Sequence, residues 1–143
     1  MFSFFSSKNK KLVKRWKKEH KELVYLANKV NIEYKRNNEK STKKALKKLL
    51  EVAAVHLMEE DIGINDLMKD KKRSNPRIEE EAARFKHAFA DTKKALTDFL
   101  WINSRDDAIL AKTFYDDFNA LVSVLAQRIE FEENNLYEEM TSK

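Results

Sequence analysis

LVSVLAQRIEFEENNLYEEM, residues 121–140, carries an apolar stripe at helical spacing: Leu121, Leu125, Ile129 and Leu136. Steps of three, four or seven residues place side chains on one face of an α-helix. Arg128 and Glu132 fall on the same stripe, four apart, where the helix must bury what it carries. An unpaired buried charge costs several kcal/mol, so each of these two needs a partner inside the protein. The stretch is therefore a helix, and its inner face is charged.

The same spacing recurs three times upstream. Leu12, Trp16, Leu23, Ala27 and Val30 predict a first helix from about Asn9 to Tyr34, preceded by an apolar and then basic segment over residues 1–8. Ala45, Leu49, Val52 and Ala53 predict a second, capped by Ser41 or Thr42 and ending near Met68. Pro76 suits a first helical position, and Ala82, Phe85, Phe89, Leu96 and Phe99 carry the third helix to Trp101. Ser104 to Asp107 resembles a capping box, with Asp in place of Glu or Gln, and opens a fourth helix that runs to about Glu139. One glycine and one proline in 143 residues leave little turn chemistry for a β protein. The expected fold is a single all-α domain over residues 1–143, an up-down-up-down four-helix bundle.

Composition narrows the function. There is no cysteine, which excludes disulfides, thiolate ligands and cysteine nucleophiles. A single glycine cannot build a phosphate-binding loop, and no Ser/His/Asp grouping stands out. The opening MFSFFSSKNKK is apolar first and basic after, the reverse of a secretory signal, so a cytoplasmic protein is expected. No apolar run approaches the roughly 20 residues of a membrane span, so no stable insertion is expected. Phe2, Phe4 and Phe5 either cap the open end of the bundle, which is the expectation, or dip into a membrane or a partner.

Net charge is +5 and uneven. Residues 1–50 hold 16 Lys+Arg against 4 Asp+Glu, a net +12; the remainder holds 13 against 20, a net −7. Alternating topology brings the acidic end of the fourth helix beside the basic start of the first, so mutual neutralisation is expected there. With Trp16 the one aromatic amid those lysines, no nucleic-acid partner is expected.

Five polar side chains aim inward. His20 follows Trp16 by four; His56 and Glu60 continue the stripe of Leu49, Val52 and Ala53; Arg128 and Glu132 continue that of Leu121 and Leu125. At about 1.5 Å per residue, their heights coincide near one layer of an alternating bundle. Two arrangements satisfy such a layer. A divalent transition metal accepts imidazole nitrogen and carboxylate oxygen. Alternatively, Arg128 bonds Glu60 or Glu132 and the histidines act as hydrogen-bond partners. Glu59 and Glu133 point to the side, towards solvent.

Glu19-His20, HLMEE (56–60) and RIEFEE (128–133), with the tryptophan four before His20 and EENNLY after the fourth-helix motif, resemble the hemerythrin-like, cation-binding four-helix family. The resemblance implies two irons held by a His on the first helix, His-x-x-x-Glu on the second, a His on the third and His-x-x-x-Glu on the fourth; several members bind oxygen or sense iron and oxygen. His20, His56, Glu60 and Glu132 match ligand positions. Arg128 stands where the fourth-helix histidine belongs, and arginine keeps its proton in proteins. On the third helix His87 is the candidate, yet it lies opposite the Phe85/Phe89 stripe and is expected at the surface; Phe85 is expected to fill the ligand's space. The resemblance thus implies a reduced site. His20, His56, Glu60 and Glu132 would hold one metal, iron by family or zinc or manganese by ligand chemistry, and Arg128 would supply the charge of the missing ion. The alternative is a metal-free helical interaction module in which Arg128 pairs with Glu60 and Glu132. Either way the expected role is binding or sensing, with no catalysis, no reversible two-iron oxygen carriage and an unidentified protein partner.

Overall fold

A computed structural model of the chain describes residues 2–69 and 75–141, with side chains from residue 8 onward except that of residue 67. The capping expected of Phe2, Phe4 and Phe5 lies outside the described residues. Among the described residues six α-helices follow in order: α1 (Phe2–Lys35), α2 (Glu39–Lys69), α3 (Pro76–Ala88), α4 (Thr92–Ser104), α5 (Phe114–Phe131) and α6 (Tyr137–Thr141). A π-helical turn, Glu132–Leu136, joins α5 to α6 without interruption. The arrangement is the expected four-helix bundle, in which α3 with α4 forms the third arm and α5 through α6 the fourth.

Several element boundaries differ from the sequence expectation. The first helix starts at Phe2, ahead of Asn9, because no glycine or proline interrupts residues 2–8. The cap of α2 is Asn38, whose side-chain oxygen accepts from the Ser41 amide at 3.0 Å. Asn37 takes the left-handed conformation, φ 59°, that reverses the chain there. Asparagine tolerates that region better than most side chains. Thr42 lies inside the helix, its hydroxyl donating to the Asn38 carbonyl at 2.7 Å.

Asn75 caps α3 through the amides of Arg77 and Ile78, with Pro76 first in the helix as expected. The third arm then breaks at residues 89–91, where one helix was expected. Its apolar spacing runs through the break, so periodicity alone cannot reveal it. Ser104 ends α4 and does not cap the fourth helix; an irregular connection spans residues 105–113 before α5. Lys43, nearly buried, donates to the carbonyl of Asp106 at 3.0 Å and also to that of Ala108. Lys47 takes the Asp106 carboxylate at 2.6 Å. These two lysines hold the segment in a loop by supplying its carbonyls and acid with partners from α2.

Two apolar cores result. One, at the α1–α2 turn end, packs Leu23, Val30, Leu46, Leu49, Leu100 and Phe118. The other, at the end where the chain begins, packs Val13, Trp16, Ile64, Phe85, Leu136 and Met140. Between them lies a layer of buried polar side chains from α1, α2 and the fourth arm.

Candidate metal centre

That layer contains every inward polar residue expected from the sequence. His20 on α1, His56 and Glu60 on α2, Arg128 at the end of α5 and Glu132 on the π-helical turn are all at most 2% exposed. A donor atom from each of His20, His56, Glu60 and Glu132 lies within 4.8 Å of the other three. His20 Nε2 stands 3.1 Å from His56 Nε2 and 3.0 Å from Glu132 Oε1. His56 Nε2 stands 3.6 Å from Glu60 Oε2.

The outer nitrogens fix the rings. His20 Nδ1 lies 2.7 Å from Glu133 Oε2, and His56 Nδ1 lies 2.6 Å from Glu19 Oε1. An ionised carboxylate can only accept, so both Nδ1 atoms carry the proton. A ring protonated at Nδ1 alone presents its Nε2 lone pair to the layer, where His20 Nε2 faces His56 Nε2 and Glu132. Carboxylate backing of this kind orients histidine ligands and raises their basicity. Glu133 is thus not the solvent-facing residue expected. It is about one-third exposed and turned onto His20.

The π-helical turn explains that reorientation. Each residue of a π turn rotates less than in an α-helix, so adjacent Glu132 and Glu133 both reach α1. The turn also delivers Tyr137, which sequence reasoning missed, into the layer. Its hydroxyl makes a short hydrogen bond to Glu60 and lies 3.3 Å from His20 Nε2. Its ring stacks on His20 with centroids 5.8 Å apart. The role of Glu19 was missed as well: its place beside His20 was legible, its bond to His56 was not.

Arg128 answers the charge. Nη2 donates to Glu60 Oε1 at 3.1 Å, and Nε donates to Glu132 Oε2 at 3.2 Å. Each carboxylate therefore spends one oxygen on the guanidinium and turns the other towards the histidines. Asp61 lies 3.7 Å from Nη2 at the rim. The guanidinium sits over the Phe85 ring, 4.6 Å from its centroid. Phe85 thus occupies the third-arm position facing the layer, while His87 is exposed, both as expected.

Protonation follows from these contacts. Burial first, then the hydrogen bond and charge of Glu132, push the Glu60 carboxyl up to about 8, against the opposing pull of His56 and Arg128. Burial also raises Glu132, although Arg128 counteracts it. For Arg128 burial alone would lower the value; the two glutamates outweigh it and strengthen the cation. Burial and the charges of Glu132 and Glu60 raise Tyr137, which keeps its proton and donates it to Glu60.

The amino-acid sequence agrees with this architecture. The family model described as hemerythrin HHE cation binding domain matches residues 11–140. The chain belongs to the hemerythrin HHE family. No curated protein and no solved structure gives a significant match.

Within that family the donor set of this hemerythrin-like chain is incomplete: two histidines and two glutamates remain, and an arginine bridges the glutamates. Metal–ligand bonds of about 2.0–2.2 Å place neighbouring donors roughly 3.0–3.5 Å apart. The His–His and His20–Glu132 separations of 3.1 and 3.0 Å suit that spacing. The cluster is capable of coordinating a single divalent ion. Arg128 holds the other oxygens of both glutamates, which are the atoms a second ion would need.

Proposed function

We propose that this hemerythrin-like protein is a one-metal binding or sensing domain of the cytoplasm, with the whole chain, residues 1–143, acting as one unit. His20, His56, Glu60 and Glu132 are the ligands, and iron is the metal the family implies. Arg128 takes the charge role of a second ion, so the site is not a two-iron oxygen carrier and no catalytic role is assigned.

One observation carries the reading. Two histidines whose Nδ1 atoms are committed to Glu133 and Glu19 turn their Nε2 atoms on each other at 3.1 Å. Facing lone pairs repel, and a cation held between them turns that repulsion into binding. Bound there, the ion supplies positive charge and, if it is iron, a one-electron redox couple. The donors come from α1, α2 and the fourth arm, so occupancy ties three arms together. A ligand that binds only the folded state stabilises it in proportion to its affinity and concentration. Metal supply thereby sets the rigidity of the bundle, which is a workable sensing output.

A second reading is supported by the two hydrogen bonds from Arg128: the same layer forms a metal-free network in an interaction module. Elemental analysis of protein purified without chelators, and again after anaerobic loading with Fe(II), Zn(II) or Mn(II), separates the two. One equivalent of metal, lost in a His56→Ala variant that keeps its helical circular dichroism, supports the metal centre. Absence of bound metal under every loading condition overturns it in favour of the network.

A further inference from the structure

Among the described residues, the cations of α1 other than Arg15 show no ion pair, so the expected neutralisation is not found there. The fourth arm does lie beside the start of α1, where Asn9 donates to the Met140 carbonyl at 2.8 Å. Three of its acids serve other groups: Glu132 faces His20 and Arg128, Glu133 faces His20, and Glu139 lies 3.8 Å from Arg77. The single acid within residues 8–21, Glu19, is turned onto His56. Eight cations occupy that stretch, and all are exposed. Among the described residues one of them, Arg15, has an ion-pair partner, Glu59.

Six of the seven remaining cations, all lysines, form a face. At 100° per residue, Lys10, Lys11, Lys14, Lys17, Lys18 and Lys21 fall within an arc of about 120°, opposite Trp16 and His20, along roughly 16 Å of helix. Five lysines elsewhere, Lys43, Lys47, Lys48, Lys93 and Lys94, do meet a carboxylate. A row of like charges without internal partners destabilises the helix that carries it. The metal centre uses none of them.

We infer that this lysine face of α1 docks the protein peripherally on an anionic lipid surface. Juxtaposed lysines each gain about 1 kcal/mol near an anionic leaflet, a factor of about five in binding. Three features of the chain favour lipid over nucleic acid. The arc holds lysine alone, without the arginine forks that read phosphates and bases bidentately. Trp16, the aromatic within the stretch, is fully buried and offers no stacking platform. The residues ahead of the lysines, MFSFFSS, are uncharged and contain three phenylalanines, the composition of an interfacial segment. Docking is peripheral because no helix among the described residues is long and apolar enough to cross a membrane. The inference is independent of whether the centre holds metal.

Co-sedimentation of the full chain with phosphatidylcholine vesicles, with and without about 30% phosphatidylglycerol, tests it at about 0.05 M and 0.5 M salt. Binding is expected for the anionic vesicles alone and is lost at the higher salt. A triple variant, Lys14→Gln, Lys17→Gln and Lys18→Gln, should weaken it about 100-fold, three factors of about five. These side chains are exposed and removing them relieves like-charge repulsion, so its melting temperature should equal or slightly exceed that of the unaltered protein. Equal binding to neutral vesicles, no binding at low salt, or an undiminished affinity in the triple variant overturns the inference. So does tighter binding to a mixed-sequence RNA duplex than to anionic vesicles at the same salt.

Discussion

Replacing Arg128 by Met removes the one permanent cation of the buried layer while keeping much of its volume. The guanidinium is 3% exposed, and the carboxylates it bonds are 0% and 1% exposed. Two charge-assisted hydrogen bonds disappear, each contributing about 1.5–3 kcal/mol. The contact with Phe85 goes as well, about 1 kcal/mol. What remains is a pair of buried glutamates, in which Glu132 already raises the proton affinity of Glu60, now without a counter-ion. Breaking a buried pair from one side costs about 3–5 kcal/mol, and the geometry here places Arg128→Met in that range. The sign of the pH dependence follows. Without the cation the glutamates are worst when both are ionised, so the loss is greatest above the Glu60 value of about 8 and shrinks as acid supplies protons. Urea unfolding of chelator-treated protein, followed by circular dichroism across that range, measures both. A loss under about 1 kcal/mol at every pH would refute the view that Arg128 holds the layer together.

Three further outcomes are expected. In metal-free protein of natural sequence, Glu60 binds its proton more tightly folded than unfolded, so stability should fall as pH rises from the ordinary carboxylate range through about 8; Glu60→Gln should flatten that slope in the same unfolding series. Gly63→Ala would set a methyl group 2.9 Å from two ring carbons of buried Trp16. Overpacking of about 1–3 kcal/mol then exceeds the roughly 1 kcal/mol gained from helix propensity, and the melting temperature should drop. Glu133→Gln or Glu19→Gln loosens a histidine without removing a ligand; chelator competition should show metal affinity about 10–100-fold weaker, with unfolding of the metal-free protein changed far less.

The bundle and its layer were legible because both rest on helical phase. His20, His56, Glu60, Arg128 and Glu132 each continue an apolar stripe, and that alone places them inside. Element ends were less legible because they depend on local competition. Asn38 outcompetes Ser41 as a cap by starting the helix earlier, and Lys43 and Lys47 recruit the segment after Ser104 that looked like a helix start. The break at residues 89–91 leaves the apolar spacing intact, so it gave no periodic signal. Glu133 and Tyr137 were misread or missed for one shared reason. Angles counted at 100° per residue assume an unbroken α-helix, and the π-helical turn at Glu132–Leu136 changes the count. Glu19 escaped because an angle on its own helix says nothing of the acceptor a neighbouring ring requires.

The polar layer also divides the protein's apolar interior in two. The apolar side chains above and below it meet across this layer, so concerted folding of the two halves depends on five ionisable side chains and a phenol as well as on the helices that run through both. Satisfied, that layer welds the arms into one cooperative unit. Left short of a proton or a cation, it becomes a plane of weakness along which the end carrying both chain termini can open while the α1–α2 turn end stays folded.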